Sequence, residues 1–95
     1  MYYNYEFDPE KNTLLQHLRG LCFEDVIALI EEGKVIDVID HPNQEKYSNQ
    51  RMYIIDVNGY CHMVPFVQDN ERIFLKTIIP SRKATKKYLT AKRSK

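Results

Sequence analysis

The period of apolar and polar positions changes several times along the chain, and each change marks an element. Residues Tyr2 to Phe7 alternate, with Tyr3, Tyr5 and Phe7 on one face and Tyr2, Asn4 and Glu6 on the other, which predicts a short half-buried strand. Asp8-Pro9 then starts a helix: Asp accepts from unpaired backbone donors, and Pro has no N–H to leave unpaired there. Lys11, Leu14, Leu15 and Leu18 share one face of this helix, which ends at about Arg19 before Gly20. A second helix begins at about Phe23, with Glu24 and Asp25 in its first turn and a core stripe of Phe23, Val26, Ile27 and Ile30; Gly33 ends it.

Val35, Ile36, Val38 and Ile39 form an apolar run short enough to be a strand, and a turn-rich loop, HPNQEKYSNQ, follows. Arg51 to Val57 and Tyr60 to Gln68 flank Asn58-Gly59, a pair suited to a tight hairpin turn, so these strands are expected to run antiparallel. Asp69-Asn70 makes the next turn. Arg72 to Ile79 reads as a third strand of the meander, with Ile73, Leu75, Thr77 and Ile79 on one face and Phe74, Lys76 and Ile78 on the other. Pro65, in the middle strand, calls for a bulge or an edge position. After Pro80 the chain restarts as a basic helix capped by Ser81. The sum is an α+β fold in one domain spanning residues 1–95, with helices packed on one sheet face, the other face expected to be open, and a loose tail at about 92–95.

Charge adds a polarity that the totals hide. From Arg72 to Lys95 there are nine Lys or Arg and no acid, whereas residues 1–71 hold five basic and all thirteen acidic side chains; the halves carry +9 and −8, giving the net +1. Such a segment attracts a polyanion, or it is the solvated face of a terminal helix balanced by its own domain. Cys22 and Cys61 are far apart and lack a CxxC pattern, and no N-terminal apolar segment looks like a signal peptide or membrane span, so a reducing cytoplasm is expected. The two cysteines read as small buried apolar residues.

The chemistry that remains is narrow. His17, His41 and His62 are scattered, and Cys61 and His62 point to opposite faces of a strand, so no metal signature is present and no cofactor is expected. A Gly-rich phosphate loop and a nucleophile elbow are likewise missing from the sequence. What stands out is a set of cations and aromatics: Arg51, Tyr53, Tyr60, His62, Phe74, Lys76, Arg82, Lys83, Lys86 and, on the same helix, Lys87. Aromatic faces stack unpaired bases, and cations hold phosphates and neutralise charge that develops when a 2′-hydroxyl attacks the adjacent phosphodiester. Histidine is the side chain suited to proton transfer near neutral pH, so His62 is a candidate to move protons in that reaction, or else it is a partly buried core residue. Lys11 either snorkels along its apolar stripe or projects into a cleft. If Leu75 faces the helices, Lys76 stands on the open face with Phe74, where Arg82 can join it around a phosphate.

FDPEKN at 7–12, RGLCFEDV at 19–26 and IIPSRKATKKY at 78–88 are the stretches in which the chain resembles the BrnT family, toxins of bacterial type II toxin-antitoxin modules. The resemblance implies a RelE-like fold: an antiparallel sheet with two N-terminal helices on one face and a C-terminal basic helix. It also implies a cytoplasmic endoribonuclease that inhibits translation and growth, neutralised by a cognate ribbon-helix-helix antitoxin, with operator DNA met only through the complex with that antitoxin. No membrane partner is implied. Lys11, Arg51 and Arg82 match functional positions of the family; Arg19, Cys22 and Thr77 stand where the family commonly has His, Ser and Arg. Taken together, Arg51, Lys76, Arg82, His62 and Lys11 form the candidate catalytic set, and Lys83, Lys86, Lys87, Tyr53 and Phe74 the candidate RNA-binding set.

Overall fold

A computed structural model describes residues 3–90. Tyr2 of the predicted first strand and the tail at 92–95 lie outside the described residues. The elements are β1 (Asn4–Glu6), α1 (Pro9–Arg19), α2 (Phe23–Glu31), β2 (Val35–Asp40), β3 (Gln50–Val57), β4 (Tyr60–Asp69), β5 (Arg72–Leu75), β6 (Ile79–Pro80) and α3 (Arg82–Ala84), which runs on as a π-helical turn over Thr85–Thr90.

The predicted helix boundaries are built as their residues dictate. Asp8 accepts from Glu10 N at 3.0 Å, and Gly20 closes α1 at a φ of 67°, in the left-handed region glycine tolerates. Asn12 then fastens the two helices together: its amide donates to Glu24 Oε1 at 2.8 Å, and its carbonyl oxygen accepts from Phe23 N at 2.6 Å. The stripe on α1 is only partly used. Leu15 is buried, but Leu14 and Leu18 are 54% and 68% exposed, and Lys11 is exposed beside them, so α1 meets the core along a single row.

The sheet runs β1-β5-β4-β3-β2, with β6 on β4. It is mixed rather than antiparallel, because β1 lies parallel to β5, placing Asn4, Tyr5 and Glu6 opposite Arg72, Ile73 and Phe74. Glu6 and Arg72 reinforce that non-local pairing with an ion pair of 3.1 Å. The predicted strand from Arg72 to Ile79 is also broken in two. Lys76 N donates to Pro65 O at 2.8 Å, but Pro65 has no N–H to return the bond, so the β4–β5 ladder stops there and pairing resumes only at Met63 with Ile79 and His62 with Pro80. The alternation slips at the break: Ile78 joins Ile73 and Leu75 in the core, and Ile79 is left 42% exposed.

Both sheet faces carry a core. Against α1 and α2 lie Tyr53, Ile55, Val64, Phe66, Ile73 and Leu75, with Phe23 and Val26 from α2 wholly buried among them. On the opposite face Ile54 and Cys61 pack under Ala84, with Ile36, Ile39, Met63, Tyr88 and Leu89 around them. The face expected to be open is therefore partly roofed by the C-terminal helix.

Candidate nucleic-acid interface

Strand parity decides where each candidate points. Leu75 is buried against the helices, so its neighbours Phe74 and Lys76 emerge on the other face. There Lys76 Nζ sits 5.4 Å from the centroid of the Phe74 ring, which is 37% exposed. The ring's quadrupole attracts an ammonium over its face, and the exposed Lys76 keeps N–H donors accessible to a further acceptor.

The C-terminal helix is clamped across that same face. Ser81 N donates to Cys61 O at 2.9 Å, and the Ser81 hydroxyl accepts from Ala84 N at 3.0 Å as the expected cap. Thr85 closes the clamp: its hydroxyl donates to Ser81 O at 2.8 Å and accepts from Cys61 N at 2.8 Å. Farther along, the Tyr88 hydroxyl donates to Asp37 Oδ2 at 2.9 Å, tying the helix to edge strand β2. That bond holds the Tyr88 proton and raises its pKa, with a smaller contribution from burial.

Fixed in this way, Lys83 and Lys87 border a cleft of about 200 Å3 floored by Ile39, Ile54 and Met63 and walled by Ala84. Lys87 Nζ also lies 5.2 Å from the Tyr88 ring centroid. Met63 and Pro65 are two residues apart on the same side of β4, about 7 Å at the usual strand rise, and Lys76 is bonded to Pro65 O. The Phe74–Lys76 pair and the lysine-edged cleft thus border one stretch of sheet face.

The remaining candidates do not join them. Arg51, Tyr53 and His62 alternate onto the α1–α2 side of the sheet, where Tyr53 opposes Val64 and His62 opposes Ile55. Tyr53 is buried with its ring stacked on Phe66 at 4.2 Å, so it is a core residue and not a platform for a base; burial pushes its pKa up to about 12. Arg51 faces Asp40 of the neighbouring strand β2, at 3.8 Å. His62 is half-buried, its Nδ1 3.0 Å from Tyr60 O and its ring edge-on to Tyr60. Lys11, on α1, also belongs to that side. The candidate catalytic set is therefore divided by the sheet, with Lys76 on one face and Arg51 and His62 on the other. Arg82 and Lys86 are exposed on the helix but do not line the cleft. The α-helical part of that segment is three residues long, too short for a helix dipole to add to Arg82, so its attraction for phosphate rests on side-chain charge.

Tyr88, Thr85 and Asp37 hold the site together, although none belongs to the candidate set. Thr85, one turn after a capping Ser, carried a local signal in its spacing; the Tyr88–Asp37 bond joins residues too distant in sequence for any pattern to reveal. Among the described residues no group of His, Cys, Asp and Glu is arranged to hold a metal ion, and no helix is long and apolar enough to cross a membrane. No protein-family model, curated protein or solved structure matches the chain.

Proposed function

We propose that this chain binds single-stranded RNA on the sheet face bearing Phe74 and Lys76, and that it is a toxin of a type II toxin-antitoxin pair acting in the cytoplasm as an endoribonuclease that uses no metal. The observation that carries the RNA reading is the Lys76 ammonium seated 5.4 Å over the half-exposed Phe74 ring, on the face also bordered by Lys83 and Lys87. A base stacks on Phe74 while Lys76 holds an adjoining phosphate, and the two lysines continue the cationic track along the backbone. Splaying a nucleotide in this way turns its 2′-hydroxyl toward the next phosphorus; as the 2′ oxygen bonds to phosphorus and the bond to the 5′ oxygen breaks, Lys76, with Arg82 exposed at the start of the helix, offsets charge on the phosphate oxygens, while solvent water takes the 2′ proton and supplies one to the leaving 5′ oxygen. The RelE-like fold, the cognate ribbon-helix-helix antitoxin and operator contact through that antitoxin follow from the resemblance to the BrnT family.

A second reading, an RNA-binding module without cleavage, is favoured by one observation: the sheet lies between Lys76 and both Arg51, expected to share its phosphate, and His62, expected to move protons there. Incubation with defined single-stranded RNA in chelator, beside Lys76→Ala, separates the two. Cleavage products ending in a 2′,3′-cyclic phosphate, lost in the variant, support the toxin. Intact RNA that is bound by the native chain and released by the variant supports the module. RNA that is not bound at all refutes both.

A further inference from the structure

The cleft between the C-terminal helix and the sheet differs in character from the Phe74–Lys76 platform. Its floor and wall are Ile39, Ile54, Met63 and Ala84, all apolar. The two hydroxyls at its margin are already engaged, since Ser81 Oγ accepts from Ala84 N and the Tyr88 hydroxyl donates to Asp37. A base entering edge-on would lose water from its polar edge and regain few hydrogen bonds, whereas an aliphatic side chain would lose none. Among the described residues the charged side chains that line this apolar slot are Lys83 and Lys87, both cationic; the Asp37 carboxylate beside it is outside the lining and engaged by the Tyr88 hydroxyl.

We propose that this cleft is the docking site for an acidic amphipathic segment of a protein partner, with an aliphatic side chain seated between Met63 and Ala84 and flanking carboxylates paired with Lys83 and Lys87. Lys83 and Lys87 are four residues apart on one flank of the helix, so they match carboxylates spaced one turn apart on a partner helix. Charge complementarity selects the class of partner; the apolar floor adds the side chain that distinguishes it from a simple polyanion. Docking stands on the cleft alone. Its regulatory consequence, exclusion of RNA from the neighbouring lysines, rests on the RNA reading proposed above.

The test uses the full chain, isotopically labelled, titrated with a capped synthetic peptide of Glu-Leu-Glu-Glu-Leu repeats and followed by amide chemical shifts. The shifts are expected to concentrate at Ile39, Ile54, Met63 and Ala84. Affinity is expected to fall about tenfold or more in Lys83→Glu with Lys87→Glu, and by a similar factor when the peptide leucines become serines. Equal binding by the serine peptide, or shifts spread over Lys11, Lys34 and Lys46 as much as over the cleft, overturns the proposal, as does the absence of binding. A parallel titration with single-stranded RNA keeps the two readings apart. Peptide in the cleft with no RNA affinity leaves the docking site and removes the RNA function; RNA binding weakened by Lys76→Ala, with no peptide in the cleft, does the reverse.

Discussion

Replacing Thr85 with Val removes one oxygen and leaves the side-chain shape almost unchanged, so its cost isolates the clamp that holds the cationic helix to the sheet. The Thr85 hydroxyl accepts from Cys61 N, and Cys61 is fully buried. Losing it strands a buried N–H, which costs about 1–3 kcal/mol. The other bond matters less, because Ser81 O still accepts from Thr85 N at 3.0 Å after the hydroxyl is gone. The expected loss is therefore about 2 kcal/mol, which at an ordinary urea dependence for a small domain lowers the midpoint by about 1 M. Amide exchange gives the local readout: protection at Cys61 should fall by about thirtyfold, the equivalent of that energy. Thr85→Ser, which keeps both bonds, should lose no more than about 0.8 kcal/mol for the missing methyl. An unchanged urea midpoint in the Val variant, with Cys61 still protected, would refute the clamp.

Three further outcomes follow from burial and backbone geometry. Leu15→Ala should cost about 2–5 kcal/mol, whereas Leu18→Lys, at a side chain 68% exposed, should stay within about 0.5 kcal/mol in the same urea assay; equal losses would mean α1 is rotated relative to the sheet. The Tyr53 phenol, raised from 10.0 to about 12 by burial, favours the fold while neutral. Its contribution is intact below pH 10 and is lost as pH rises toward about 12, roughly 1–2 kcal/mol in all after allowance for solvent screening; Tyr53→Phe should flatten that part of a stability profile, and an unaltered profile would count against the buried phenol. Gly20→Ala meets no atom within 4 Å but must hold a φ of 67°, so it should cost about 1 kcal/mol of backbone strain in thermal or urea unfolding and no more.

Much of the fold was legible because its signals are local. Asp8-Pro9 and Gly20 bound α1, Asn58-Gly59 makes the β3–β4 turn with both residues at positive φ, and Ser81 caps the last helix, each through chemistry within a few residues. Two kinds of information were out of reach. One is long-range pairing: nothing in Asn4–Glu6 says that it will lie parallel to Arg72–Leu75, since the partners meet only after the chain has folded round them. The other is the effect of one residue on its neighbour's ladder. Pro65 was readable as an anomaly in its own strand, but its larger consequence falls on β5, where the unreturned bond at Lys76 ends the strand and reverses the facing of Ile78 and Ile79.

The candidate site divides along the same line. Phe74 and Lys76 precede the slip, so simple alternation places them correctly relative to Leu75, and they meet as a pair. Arg51 and His62 alternate regularly too, but their facing depends on cross-strand register: Arg51 opposes Phe66, which opposes Leu75 in turn, and this chain of pairings puts Arg51 with Leu75 on the helix side. Any pair of strands with that register excludes Arg51 from the face of Lys76. For the proposed ribonuclease the consequence is mechanistic. With His62 and Lys11 on the far side, the chain's main means of promoting cleavage at Lys76 is orientation of the 2′-hydroxyl and electrostatic stabilisation of the phosphate, so activity should depend more on Lys76 and on the clamp at Thr85 than on His62. His62→Gln therefore ought to retain cleavage where Lys76→Ala loses it; the opposite order would place the chemistry on the helix side of the sheet.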